Sequence, residues 1–170
     1  TYKQNFAYRY SASQSLLDNS IPDIWKDFII YHTSYNFVEE FYKSFEQPIN
    51  KYYPQSKGRL PTKNNCGVRF TGNYKFNLDC QFVINTPVAK ESAVIEPHLD
   101  NPKEFYAALL YMKNFDDDSV GGNLVTYKFK SLPKFYGKSR VKHEHVIKFE
   151  EIEYRPNRLV MFLNTPYSIH

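Results

Sequence analysis

At 170 residues, with a formal net charge of +4, 42% hydrophobic and 24% charged residues, the chain has the size and composition of one globular domain with a single substantial core. The charge is mild and its basic residues are scattered among acidic ones, so there is no clear nucleic-acid signal, and no apolar run reaches the length that crosses a bilayer. Cys66 and Cys80 make no Cys-x-x-Cys pair and fit free thiols in a reducing cytoplasm; no basic-then-apolar leader is expected either.

Residues 1–19 are polar and aromatic without a clear period, which predicts a weak strand or an arm. Ser20-Ile21-Pro22-Asp23 predicts a helix start with Ser20 as N-cap and Asp23 near the positive end of the dipole. Ile24, Trp25, Phe28 and Ile29 then follow at helical spacing. Asn36 and Glu39 suggest a second capping box. After it, Phe37, Val38, Phe41, Tyr42 and Phe45 share one face, with Glu39, Glu40 and Lys43 on the other. Pro48 sets the expected end of that helix, with a kinked continuation to Tyr53 as the alternative. Residues 54–65 predict a loop.

Beyond the loop the period changes to two. Phe76, Leu78, Cys80, Phe82 and Ile84 alternate with Asn77, Asp79, Gln81, Val83 and Asn85, predicting a half-buried strand. Thr71-Gly72-Asn73 suggests a hairpin between this strand and residues 66–70. A loop over Thr86–Pro97 leads to Glu96-Pro97-His98-Leu99-Asp100-Asn101-Pro102. Strands are expected over 105–112, 124–129, 141–149 and 158–164. Asp116-Asp117-Asp118-Ser119 with Gly121-Gly122, and Arg155-Pro156-Asn157, supply the turns. Helices first and short strands after is an α+β order, and a two-sheet jelly roll backed by helices fits it best.

Residues at i and i+2 of an extended segment share a face, so His98 and Asp100 can point at one ion while Leu99 turns into the wall. His170 follows 70 residues after Asp100, beyond four further expected strands, and supplies a third ligand. Two imidazoles and one carboxylate on one face of an octahedron are the ligand set of non-haem Fe(II) oxygenases. Chance alone often supplies His-x-Asp, so the surroundings must carry the case.

Those surroundings have an order: His98-Leu99-Asp100-Asn101-Pro102, Leu110-Tyr111-Met112, Gly121-Gly122-Asn123-Leu124, Asn157-Arg158-Leu159-Val160-Met161-Phe162, and Asn164-Thr165-Pro166-Tyr167-Ser168-Ile169-His170. Over residues 76–170 the chain resembles the Fe(II)/2-oxoglutarate-dependent dioxygenase superfamily, in its prolyl-hydroxylase-like branch; residues 1–60 resemble its helical support in general character. The resemblance implies a double-stranded β-helix (jelly roll) with supporting N-terminal helices, spanning 1–170 as one oxygenase domain. It implies Fe(II) at His98, Asp100 and His170, and 2-oxoglutarate as cosubstrate hydrogen-bonded by Tyr111. It also implies O₂ and a primary substrate as partners, with release of succinate and CO₂ as a C–H bond is hydroxylated. Asn85 is a weaker candidate for lining the cosubstrate pocket. The family usually holds the far carboxylate of 2-oxoglutarate with an Arg or Lys after the distal His. The chain stops at His170 and starts at Thr1 without a Met, so it reads as trimmed; Lys113, on the facing side with Tyr111, is the candidate cation within it.

Two rival readings stay open. One is a non-enzymatic jelly-roll binding module with His98 and Asp100 as polar rim residues. The other is a cupin-type metal enzyme using His143 and His145, which also stand two apart on an expected strand. The loops at 54–65 and 86–97 are candidates for substrate contact.

Overall fold

The structure is a computed structural model that describes residues 3–4, 6–54, 61–90, 95–131 and 140–170. Two compact units are distinguished, Thr1–Val94 and Ile95–His170.

The first unit begins with strand β1 (Ala7–Tyr10) and helix α1 (Ala12–Leu17), where the sequence suggested only a weak strand or arm. The helix signal is Ser11-x-x-Gln14. The Ser11 hydroxyl accepts from the Gln14 backbone N–H, and the Gln14 side chain accepts from the Ser11 N–H, a capping box that closes two orphan donors. Helix α2 (Asp23–His32) starts after Pro22, which caps it with no side-chain bond. Ser20 is therefore not the N-cap: its hydroxyl and amide both donate to Asp18 Oδ1, at 2.7 and 2.8 Å. Helix α3 (Tyr35–Ser44) is capped by Ser34, whose hydroxyl accepts from Phe37 N, rather than by Asn36.

The chain pauses at Phe45 and resumes as α4 (Glu46–Tyr52). Pro48 lies in the first turn of α4, where its missing N–H would have had no intrahelical partner. The apolar stripes face inward, with Ile29, Val38, Phe41 and Ile49 all buried. Val38 packs with Cys66 and Leu78, flanked by Tyr35, Tyr42 and Phe76.

The expected strand over 76–84 is two strands. Strand β3 (Phe76–Leu78) pairs with β2 (Cys66–Val68), and β4 (Phe82–Asn85) pairs antiparallel with β1. Asp79 occupies the break: its carboxylate accepts from Ala12 N at 3.0 Å and from Gln81 Nε2 at 2.6 Å. The anticipated hairpin is absent, because β2 and β3 run parallel. Their short connection suffices because each strand has only three residues, and it turns through Phe70 at φ 70°. Gly67 permits the close approach: a Cβ there would stand 2.4 Å from Tyr74 Cζ.

In the second unit, β5 (Tyr106–Tyr111) pairs antiparallel with β8 (Arg158–Leu163), and β6 (Leu124–Phe129) pairs antiparallel with β7 (Val146–Ile152). Gly121 and Gly122 carry φ of 96° and 78°, the left-handed region where a Cβ is penalised. Asn157 turns the chain into β8 at φ 58°. Strand β7 starts later than the sequence pattern suggested, because His143–His145 form a 3-10 turn. The core is Val141, Val146 and Ile169, with Leu99, Tyr127 and Phe129 against it. Isolated bridges join His98 to Arg140 and Tyr127 to Ile169. Among the described residues all ladders are two-stranded and no closed barrel is formed, and no helix is long and apolar enough to cross a membrane.

Candidate metal centre

The main chain brings His98 and His170 together. His98 N–H donates to His170 O at 2.9 Å, and His170 N–H donates to His98 O at 3.1 Å. This reciprocal pair is one rung of an antiparallel ladder, so the two side chains leave the same face. Their rings stand 4.4 Å apart, centroid to centroid. Asp100, two residues from His98 in extended chain, reaches the same spot, while Leu99 between them packs on the core.

Asp100 Oδ1 is 3.7 Å from His98 Nε2 and 3.7 Å from His170 Nε2. One ligand atom from each of the three residues lies within 4.8 Å of the other two. Neighbouring donors bound about 2.1 Å from a metal lie roughly 3 Å apart, so a small inward rotation of the three side chains closes them on an ion. The side chains are 13–20% exposed, so the group is largely shielded from solvent.

Each imidazole is held in one tautomer. A carbonyl oxygen can only accept, so the Nδ1–H of His98 donates to Glu96 O, and the Nδ1–H of His170 donates to Ser168 O, both at 3.1 Å. The proton on Nδ1 leaves the Nε2 lone pair free for a cation. Burial lowers the His98 pKa, and the neighbouring His170 lowers it further, against the opposing pull of Asp100. The ring therefore stays neutral, the state that binds metal, to lower pH than a free histidine.

The residues fit the metal by chemistry: two imidazole nitrogens with one carboxylate oxygen suit Fe(II) and its neighbours rather than Mg(II) or Ca(II), which take oxygen ligands.

Tyr111 lies at the far end of β5, opposite Arg158. Residues 107, 109 and 111 share a sheet face with Phe162, which pairs with Ala107 and sets its ring 4.9 Å from that of His170. Tyr111 is thus on the face turned to His170, but about 13 Å along the strand from Ala107. Its ring meets Tyr154 edge-on at 5.0 Å. Burial pushes its hydroxyl pKa up, with Tyr154 adding and Arg158 opposing. Lys113 donates to Ser119 O at 2.8 Å and lies 5.7 Å from the Tyr154 ring centroid.

His143 and His145 sit on the 3-10 turn, outside the three-residue group. His143 Nε2 is 2.6 Å from Glu96 Oε2, and His145 Nε2 is 3.5 Å from Glu144 Oε1. Asn85 ends β4 in the first unit with its side chain exposed. Residues 55–60 of the first candidate substrate loop and 91–94 of the second lie outside the described residues.

Asn164 opens the last of the ordered elements but had no role of its own in the sequence reading; it is 6% exposed and donates from Nδ2 to Asn101 O at 2.7 Å and to Glu104 O at 2.8 Å. A polar amide directly after an apolar strand, six residues before a candidate ligand, was the available signal.

Comparison of the chain with protein-family models, with curated proteins and with solved structures gives no significant match.

Proposed function

We propose that the protein is an Fe(II)- and 2-oxoglutarate-dependent oxygenase, with His98, Asp100 and His170 as the iron ligands. The observation that carries this reading is the convergence of their three donor atoms within 4.8 Å, from positions 70 residues apart, with both imidazole protons parked on Nδ1. Bound there, iron supplies the activation of O₂ with 2-oxoglutarate as the electron donor. One oxygen atom enters a C–H bond of a protein, peptide or small-molecule substrate and the other enters succinate, with CO₂ released.

The chain's own part is positional. Asp100 offsets cationic charge, burial favours the neutral form of His98, and the Phe162 ring lines the site beside His170 while Leu99 anchors the ligand strand on the core. Tyr111, on the face of Phe162, is the proposed hydrogen-bond donor to 2-oxoglutarate. The free thiols Cys66 and Cys80 suit a cytoplasmic setting.

A double-stranded β-helix belongs to the same proposal. Apart from the isolated bridges His98–Arg140 and Tyr127–Ile169, pairing in the second unit is nested: His98 with His170, β5 with β8, β6 with β7. That is the order of one long antiparallel ribbon, the element a jelly roll winds up.

Since two imidazoles and a carboxylate also take Zn(II), 2-oxoglutarate is the discriminating ligand. Anaerobic addition of Fe(II) and then 2-oxoglutarate should produce a visible charge-transfer band in the wild-type protein and none in His98→Ala. If no band forms and neither ligand raises the melting temperature, the oxygenase reading is lost.

A further inference from the structure

The three proposed ligands sit on two separate stretches of chain, and something must hold those stretches in register. The His98–His170 backbone pair does so on one side. We infer that Asn164 does so on the other, as a positioning residue that fixes Asp100 relative to His170; this rests on the metal-centre reading above.

Asn164 directly follows β8, and its backbone N–H donates to Phe105 O at 3.0 Å. Its side-chain amide then reaches across to the turn that follows Asp100, donating both protons, one to Asn101 O and one to Glu104 O. The same turn is closed on itself by Glu104 N–H to Asn101 O at 2.8 Å and by Lys103 N–H to Asn101 Oδ1 at 3.0 Å. On its other side, Asn164 is the root of the segment that ends in His170. That segment is also fixed: the Ser168 hydroxyl donates to Thr165 O at 2.9 Å and accepts from Thr165 N at 2.8 Å.

One buried amide thus ties the residue adjoining Asp100 to the base of the short loop carrying His170. An apolar residue here would leave the Asn101 and Glu104 carbonyls without these donors. An aspartate would set a carboxylate against them. Only an amide of this length supplies two donors and no charge. Loss of a group that orients metal ligands characteristically weakens metal affinity tenfold to a hundredfold.

The test uses Co(II) alone as the probe, because its visible spectrum reports ligand number and geometry without turnover. With wild type, Asn164→Ala and Asn164→Ser, Co(II) affinity is measured well below each melting temperature. The inference expects affinity to fall at least about tenfold in Asn164→Ala, less in Asn164→Ser, which keeps one donor, with a changed Co(II) spectrum in both. Unchanged affinity and spectrum in a folded variant overturn it. A measurement on wild type needs no variant. Zn(II) binding should slow hydrogen exchange of the Asn164 side-chain amide, since a clamp that favours binding must be favoured by binding. Exchange that is equally fast with and without bound Zn(II) also overturns the inference. If wild type binds neither Co(II) nor Zn(II), the metal-centre reading itself fails, a distinct outcome.

Discussion

His98 and His170 exchange backbone hydrogen bonds in both directions, at 2.9 and 3.1 Å, so the first and last of the three candidate ligands are opposite partners in one rung. Cross-strand partners are held about 5.5 Å apart at Cα, and their side chains share a face. Asp100 is the only ligand placed by sequence adjacency; His170 is placed by pairing.

That arrangement predicts which substitutions matter. His98→Ala or His170→Ala should remove metal-dependent stabilisation, whereas His143→Ala should leave it intact, because His143 contacts Glu96 rather than the triad. Metal at a hundred times its Kd stabilises by about 2.7 kcal/mol, which for a chain of this size raises the melting temperature by roughly 5–10 °C. Thermal melts with and without metal check all three variants. A stabilisation lost in His143→Ala and kept in His98→Ala would favour the cupin-type site instead.

The pH dependence of the metal-free protein follows from His98, whose pKa is lowered first by burial and then by His170. The unfolded chain takes up the proton near pH 6.5, the folded one only at lower pH. Between these values the unfolded state binds more protons, so stability must fall as pH drops through that window and level off below it. By about pH 8 the His98 contribution to the slope should have all but vanished. Urea titrations across pH 8 to 5, compared with His98→Gln, test this; a variant with the wild-type slope would show that other groups set it.

How far the sequence alone reached depends on the kind of interaction. The apolar stripe of α3 was legible because burial of Val38 and Phe41 follows directly from helical spacing. Strands β5 and β8 were legible from their apolar runs. The triad was nameable because His98 and Asp100 stand two apart in extended chain. Caps were misplaced where two candidates competed: Ser34 rather than Asn36 points its hydroxyl at a free N–H. The break at Asp79 was hidden because alternation continues through it, while its cause, the bond to Ala12 N, lies 67 residues away in sequence. The parallel pairing of β2 with β3 was likewise invisible, as was the close approach of the Tyr74 ring to Gly67 that accompanies it. Asn164 was missed for the same reason: its partners are backbone carbonyls 60 and 63 residues distant.

The thiols give a prediction independent of any metal. Burial, aided by the negative charge of Asp79, pushes the Cys80 pKa up to about 11, and burial also raises that of Cys66. At pH 8 only about one Cys80 in a thousand is thiolate, against roughly a quarter for a free cysteine. Iodoacetamide should therefore label Cys80 some hundredfold more slowly in the native protein than in urea, with a rate that climbs tenfold per pH unit up to pH 10. Mass spectrometry of labelled peptides reads both sites. Rapid native labelling at pH 8 would mean that the segment around Asp79 opens readily.

Gly67 and Tyr74 should prove coupled. A Cβ at Gly67 would lie 2.4–2.6 Å from three atoms of the Tyr74 ring, closer than any side chain tolerates, and Gly67 is in the middle of β2. Gly67→Ala must displace that ring, and overpacking of this kind costs about 1–3 kcal/mol. Tyr74→Ala alone should also destabilise, by removing the ring that covers the short β2–β3 connection. The double variant has room for the new methyl group, so it should be more stable than the two single losses predict. A double-mutant cycle in urea should give a coupling of at least about 0.5 kcal/mol, the level that marks residues in contact. Strict additivity would mean that the ring does not lie under Gly67 in solution.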